Sequence, residues 1–87
     1  MIEPIKNRIT RQDYLDCAFE GTPENSTKVS QWDECNEWVD TIRNDKNYSI
    51  RLIDYHVQFT MVIYSYTQSI DDYTDEVTYY AVVFIKE

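Results

Sequence analysis

The segment from Val77 to Ile85 constrains this chain more than any other. Alternate positions Val77, Tyr79, Ala81, Val83 and Ile85 form one face of a strand, and Thr78, Tyr80, Val82 and Phe84 form the other. Successive side chains of a strand point to opposite sides of its sheet. Neither side here is fit for water, so a layer is expected on one face. The other face must be covered as well, or remain as a tyrosine-rich patch. Such a strand requires companions, and the preceding chain supplies them. Residues 48–66 are rich in Ile, Val, Tyr, Thr and Phe, which suit a pleated, half-buried surface. Nineteen residues exceed a usual strand, so a turn is expected near Asp54 to Val57, giving two strands. The polar stretch Thr67 to Glu76 then reads as a loop.

The layer for one face is also legible. Trp32, Cys35, Trp38, Val39 and Ile42 recur at spacings of 3, 3, 1 and 3, which makes one apolar stripe of a helix over residues 30–44. Ser30 suits the N-cap, with Asp33 three residues on to answer it. Acids crowd the first turns, and Arg43 and Lys46 close the element, as the helix dipole favours. Residues 13–20 are open to two readings. Leu15, Cys17 and Phe19 alternate as in a strand. Thr10 with Asp13 resembles a capping box, and Tyr14, Leu15, Ala18 and Phe19 would make a helical stripe. The alternation tips the balance to a strand. Gly21 and Pro23 end it, and residues 21–29 read as a polar loop. Residues 1–12, with Lys6, Arg8 and Arg11, read as a loose arm or as the lead into the first element. The expected architecture is α+β in the order β-α-β-β-β, one amphipathic helix on a mainly antiparallel sheet of about four strands.

With 87 residues the chain is sized for one domain with a thin core. Apolar residues make up 43%, too many for a disordered acidic tail. The formal charge of −8 opposes free nucleic acid and anionic membrane surfaces, and attracts basic partners. No run approaches the roughly 18 apolar residues needed to span a bilayer. Met1 to Thr10 holds Glu3, Pro4, Lys6 and Arg8, which is unlike a signal peptide. Only two cysteines, Cys17 and Cys35, are present, so a reducing cytoplasm is expected.

Signals for catalysis are sparse. His56 is the sole histidine and has no nucleophile signature around it. Cys17, Cys35 and His56 do not have zinc-finger spacing, and one glycine rules out a glycine-rich phosphate loop. The acids from Asp71 to Glu76 lack the calcium-loop pattern with its central glycine. No enzyme activity, cofactor or metal is expected.

Acid placement is the most informative remaining feature. Asp33, Glu37 and Asp40 stand four and three apart, with Glu34 beside them. Such neighbours lie about 6 Å apart, and like charges there cost a few tenths of a kcal/mol per pair. Phosphates along one DNA strand advance about 3.4 Å per nucleotide, and lie farther apart through space. A carboxylate row of this kind can stand in for phosphates, extended by Asp13, Asp16, Glu20, Glu24 and by Asp71, Asp72, Asp75 and Glu76. Between residues 13 and 40 only Lys28 opposes them.

Ser30-Gln-Trp-Asp-Glu-Cys-Asn-Glu-Trp-Val-Asp40 is an acidic amphipathic helix, set in a small acidic chain with a tyrosine-rich sheet. In these respects the chain resembles the Arn-like anti-restriction proteins of phages, which mimic DNA, and more broadly the anti-CRISPR proteins. The resemblance implies a homodimer in the host cytoplasm that occupies the DNA channel of a restriction nuclease or similar defence enzyme. The leading expectation is therefore a non-enzymatic inhibitor whose phosphate mimics are Asp33, Glu34, Glu37, Asp40, Asp71, Asp72, Asp75 and Glu76. The alternative is an interaction module that docks through Tyr64, Tyr66, Tyr79 and Tyr80 on a sheet face. The uncovered second face of the sheet is a further reason to expect pairing of two copies.

Overall fold

In a computed structural model the chain is α+β, and residues 3–17, 26–29, 32–56 and 59–86 are described. Among these the elements are β1 (Asn7–Ile9), α1 (Arg11–Asp16), β2 (Ser26–Val29), α2 (Trp32–Arg43), β3 (Tyr48–His56), β4 (Phe59–Ser69) and β5 (Asp75–Lys86). The sheet is five-stranded, in the order β1-β5-β4-β3, with β2 also on β5. β5 pairs antiparallel with β4 from Phe59↔Ile85 to Ser69↔Asp75. Along its other edge it takes β1 antiparallel beside Tyr79 to Ala81, and β2 parallel beside Val83 to Lys86.

The two-faced pattern of β5 is satisfied by a layer on each side. On one face α2 buries Cys35, Trp38, Val39 and Ile42 against Val62, Tyr64, Val82 and Phe84, with Val29 of β2. Each such side chain withdrawn from water contributes on the order of 1.5–3 kcal/mol. On the other face Tyr14 of α1 packs with Met61, Ile63, Ala81 and Val83, flanked by Ile9, Tyr79 and Ile85. The second face is thus closed within one chain at these positions, and is not left as an open patch.

Several boundaries differ from the sequence reading. Residues 11–16 form a helix where a strand was favoured. Thr10 Oγ1 accepts the Asp13 N–H at 3.1 Å and the Asp13 carboxylate accepts the Thr10 N–H at 3.4 Å, so the capping box outweighs the alternation. Cys17 then leaves the helix in the left-handed region at φ 51. Ala18 and Phe19 of the expected stripe, and Ser30 as the expected N-cap of α2, lie outside the described residues. The expected loose arm contributes β1, and the expected polar loop contributes β2, whose Thr27 Oγ1 accepts the Ile5 N–H at 3.1 Å. Two strands form as expected, but β3 runs on to His56, into the range Asp54 to Val57 expected for the turn, with a register shift between Asp54 and His56; Val57 lies outside the described residues. The loop expected over 67–76 shrinks to 70–74, because Thr67, Gln68 and Ser69 pair with Val77, Glu76 and Asp75.

Candidate functional site

The expected phosphate mimics fall into two groups. In α2, Asp33, Glu37 and Asp40 are exposed and Glu34 is half-buried, opposite the buried stripe that faces the sheet. This is the outer face of an amphipathic helix, placed by the burial of Trp38 and its neighbours. Among the described residues, Asp33, Glu37 and Asp40 form no ion pair. The second group is Asp71, Asp72, Asp75 and Glu76, all exposed, at the end of the β4–β5 hairpin. The turn after α2 leads to Tyr48, which pairs with Tyr66, and Asn47 C=O accepts the Thr67 N–H at 2.9 Å. The hairpin acids therefore lie beyond the C-terminal end of α2, and Asp33 lies at the far end.

Asp45 was not singled out by sequence, because it falls after the helical period ends. It is exposed in the turn between the two groups, and its Oδ1 accepts the Asn47 N–H at 2.9 Å. A polar residue two positions before a backbone donor is the signal for such a turn.

Two hairpin acids also have local duties. Asp71 Oδ1 accepts the Tyr73 N–H at 2.8 Å, which holds the Asp71 carboxyl below its ordinary range, with the Thr74 N–H and hydroxyl adding to the effect. Asp75 Oδ1 accepts from Ser69 Oγ at 3.1 Å. Asp13 and Asp16 do not extend the α2 row. They sit on α1, across the sheet, where Asp13 caps the helix and Asp16 accepts from Gln12 Nε2 at 2.8 Å. Glu20 and Glu24 lie outside the described residues.

The four tyrosines do not share a surface. Tyr64 is buried at 1% exposure, stacked on Tyr80 at 5.1 Å and close to Tyr48 at 5.9 Å. Tyr66 joins that group through Tyr48 at 4.8 Å. Tyr79 lies on the opposite face, 4.8 Å from the ring of Tyr14. Their aromatic area is largely used inside the molecule.

Cys17 and Cys35 lie on opposite sides of the sheet, not paired with each other, and burial pushes the Cys35 thiol up to about 11. His56 ends β3, and its side chain lies outside the described ones. Among the described residues no three His, Cys, Asp or Glu side chains gather to hold a metal ion, and no helix is long and apolar enough to cross a membrane. No known family, characterised protein or solved structure matches the chain.

Proposed function

We propose that this domain is a non-enzymatic inhibitor that imitates the charge of DNA and docks on the basic DNA-binding surface of a defence enzyme such as a restriction nuclease. The observation that carries this reading is the outer face of α2, where Asp33, Glu37 and Asp40 stand exposed with no described cation against them. A helix keeps such a row at a mild cost in repulsion. A basic cleft would relieve that repulsion and would be steered toward the row from a distance. Docking through the tyrosines has less support, since Tyr64 is buried and Tyr79 faces away from Tyr66 and Tyr80.

The test is competition with duplex DNA for purified restriction nucleases, followed from low to high salt. Affinity is expected to fall steeply as salt rises, since exposed charges are screened over about 10 Å at 0.1 M. The triple change Asp33→Lys, Glu37→Lys and Asp40→Lys is expected to abolish inhibition and leave the circular dichroism of the fold intact. Affinity that does not respond to salt would rule the reading out.

A further inference from the structure

The β4–β5 hairpin outruns the rest of the sheet. β3 ends its pairing at Tyr48↔Tyr66 and β1 ends at Ile9↔Tyr79, whereas β4 and β5 continue to Ser69↔Asp75. Among the described residues, Gln68 to Val77 thus belong to a two-stranded projection of roughly 10 Å, at about 3.4 Å per residue. Its five-residue end is held in one shape by the Ile70 N–H on Thr74 C=O at 2.9 Å and by the Asp71 cap on Tyr73. Upon this rigid end Tyr73 is 98% exposed and Ile70 is 61% exposed. Of the large hydrophobics they are the two most open to solvent among the described residues. Both side chains touch little of their own fold. Asp71, Asp72, Asp75 and Glu76 share the projection, which has no lysine or arginine.

We propose that the hairpin tip is an anchor, in which Ile70 and Tyr73 enter an apolar recess within a basic protein surface. The apolar pair supplies the contact area and the surrounding carboxylates set the sign of the partner's charge. A tyrosine held by a rigid turn gives up little freedom on docking, which is why tyrosine is frequent among interface anchors. The sign of the partner's charge rests on the proposed function above, and the apolar recess is the added element.

Two synthetic peptides of equal length and charge separate the two ideas, one alternating arginine with leucine and the other alternating arginine with serine. The intact protein is expected to bind the arginine–leucine peptide about tenfold more tightly. Tyr73→Ala should erase that difference, Tyr73→Phe should keep it, and Leu52→Ser, which alters an exposed leucine of β3, should leave it unchanged. Equal, salt-sensitive binding of both peptides would overturn the anchor and leave the charge reading standing. Binding of neither would overturn both. Loss of the difference in Leu52→Ser, or self-association that disappears in Tyr73→Ala, would also overturn the anchor. Because Tyr73 is almost fully exposed, none of its variants is expected to unfold the protein.

Discussion

Trp38 meets Tyr64 edge-on, with ring centroids 5.5 Å apart and planes at 73°, and the Tyr64 hydroxyl is buried there with no hydrogen-bond partner among the described residues. Edge-to-face pairs are favourable beyond the area they bury, whereas a buried hydroxyl without a partner carries a desolvation cost. Tyr64→Phe keeps the ring and removes the cost, so it is expected to stabilise the fold by about 1 kcal/mol. Trp38→Ala is expected to destabilise it by about 3–5 kcal/mol. Urea titration measures both. A Tyr64→Phe variant less stable than the parent would show that the hydroxyl has a partner.

Alkali is expected to weaken the fold through the same layer. Burial raises Cys35 from 9.0 to about 11, and raises Tyr64 above its ordinary value, with the Tyr48 and Tyr80 phenols adding to it. Both groups are neutral in the native state and ionise more readily once unfolded. The Cys35 contribution is therefore complete below its unfolded value and is lost as pH climbs through about 9 to 11, and the Tyr64 contribution is lost from its ordinary value of 10.0 upward. Denaturation midpoints across that range should fall, and Cys35→Ala should make the fall shallower. Alkylation of the native protein should label half-buried Cys17 well before Cys35.

The short helix α1 depends on its ends. Arg51 lies 4.8 Å over the Tyr14 ring and donates from Nη1 to Tyr14 C=O at 3.4 Å and to Cys17 Sγ at 3.6 Å. α1 has no basic residue in its own last turn, so a cation from β3 serves its C-terminal carbonyls. Thr10→Ala is expected to cost about 1 kcal/mol by removing the N-cap. Arg51→Ala is expected to speed hydrogen exchange of the α1 amides and leave the β4 amides protected. Unchanged exchange in α1 would contradict this role.

How much of this was legible depended on length and on neighbours. The face of α2 was plain because Cys35, Trp38, Val39 and Ile42 repeat over about two turns, and all four are buried. The double-faced pattern of β5 called for a layer on one face and left the second either covered or open, and Tyr14 of α1 covers it. α1 was missed because six residues are too few for a period to emerge, and Leu15 and Cys17 alternate as a strand does. The capping box of Thr10 and Asp13 was the better signal, since it reports backbone donors directly. β2 was illegible as a strand: Ser26 to Val29 is a mostly polar run of four residues whose partner lies more than fifty positions away. For the candidate site, the exposure of the α2 and hairpin acids was foreseeable from the pattern. The separation of Tyr79 from Tyr80 was already given by their alternation along the strand, and the pairing register adds that Tyr64 and Tyr66 share the face of Tyr80.

Acid should loosen the hairpin tip before the rest of the fold. The Tyr73 N–H bond holds Asp71 below the ordinary carboxylate range, so the closed turn keeps its full strength above that range and loses it as pH falls through the lowered value. The Tyr73 amide, followed by NMR during acidification, should gain exchange in that window. Asp71→Asn should remove the pH dependence. A Tyr73 amide that titrates identically in Asp71→Asn would rule out this linkage.

The position of β5 governs the order in which the molecule can assemble. β4 can pair with β3 as soon as both are made, whereas β1 and β2 precede their described pairing partner β5 by a long stretch of chain. During synthesis the N-terminal half can form little beyond local helix until residues near 86 have left the ribosome, because each of those pairings closes a long loop. Closure of the β1 and β2 edge is thus a late event. A nascent chain halted before β5 would hold Trp38, Tyr64 and their neighbours in a form that chaperones would recognise as unfinished.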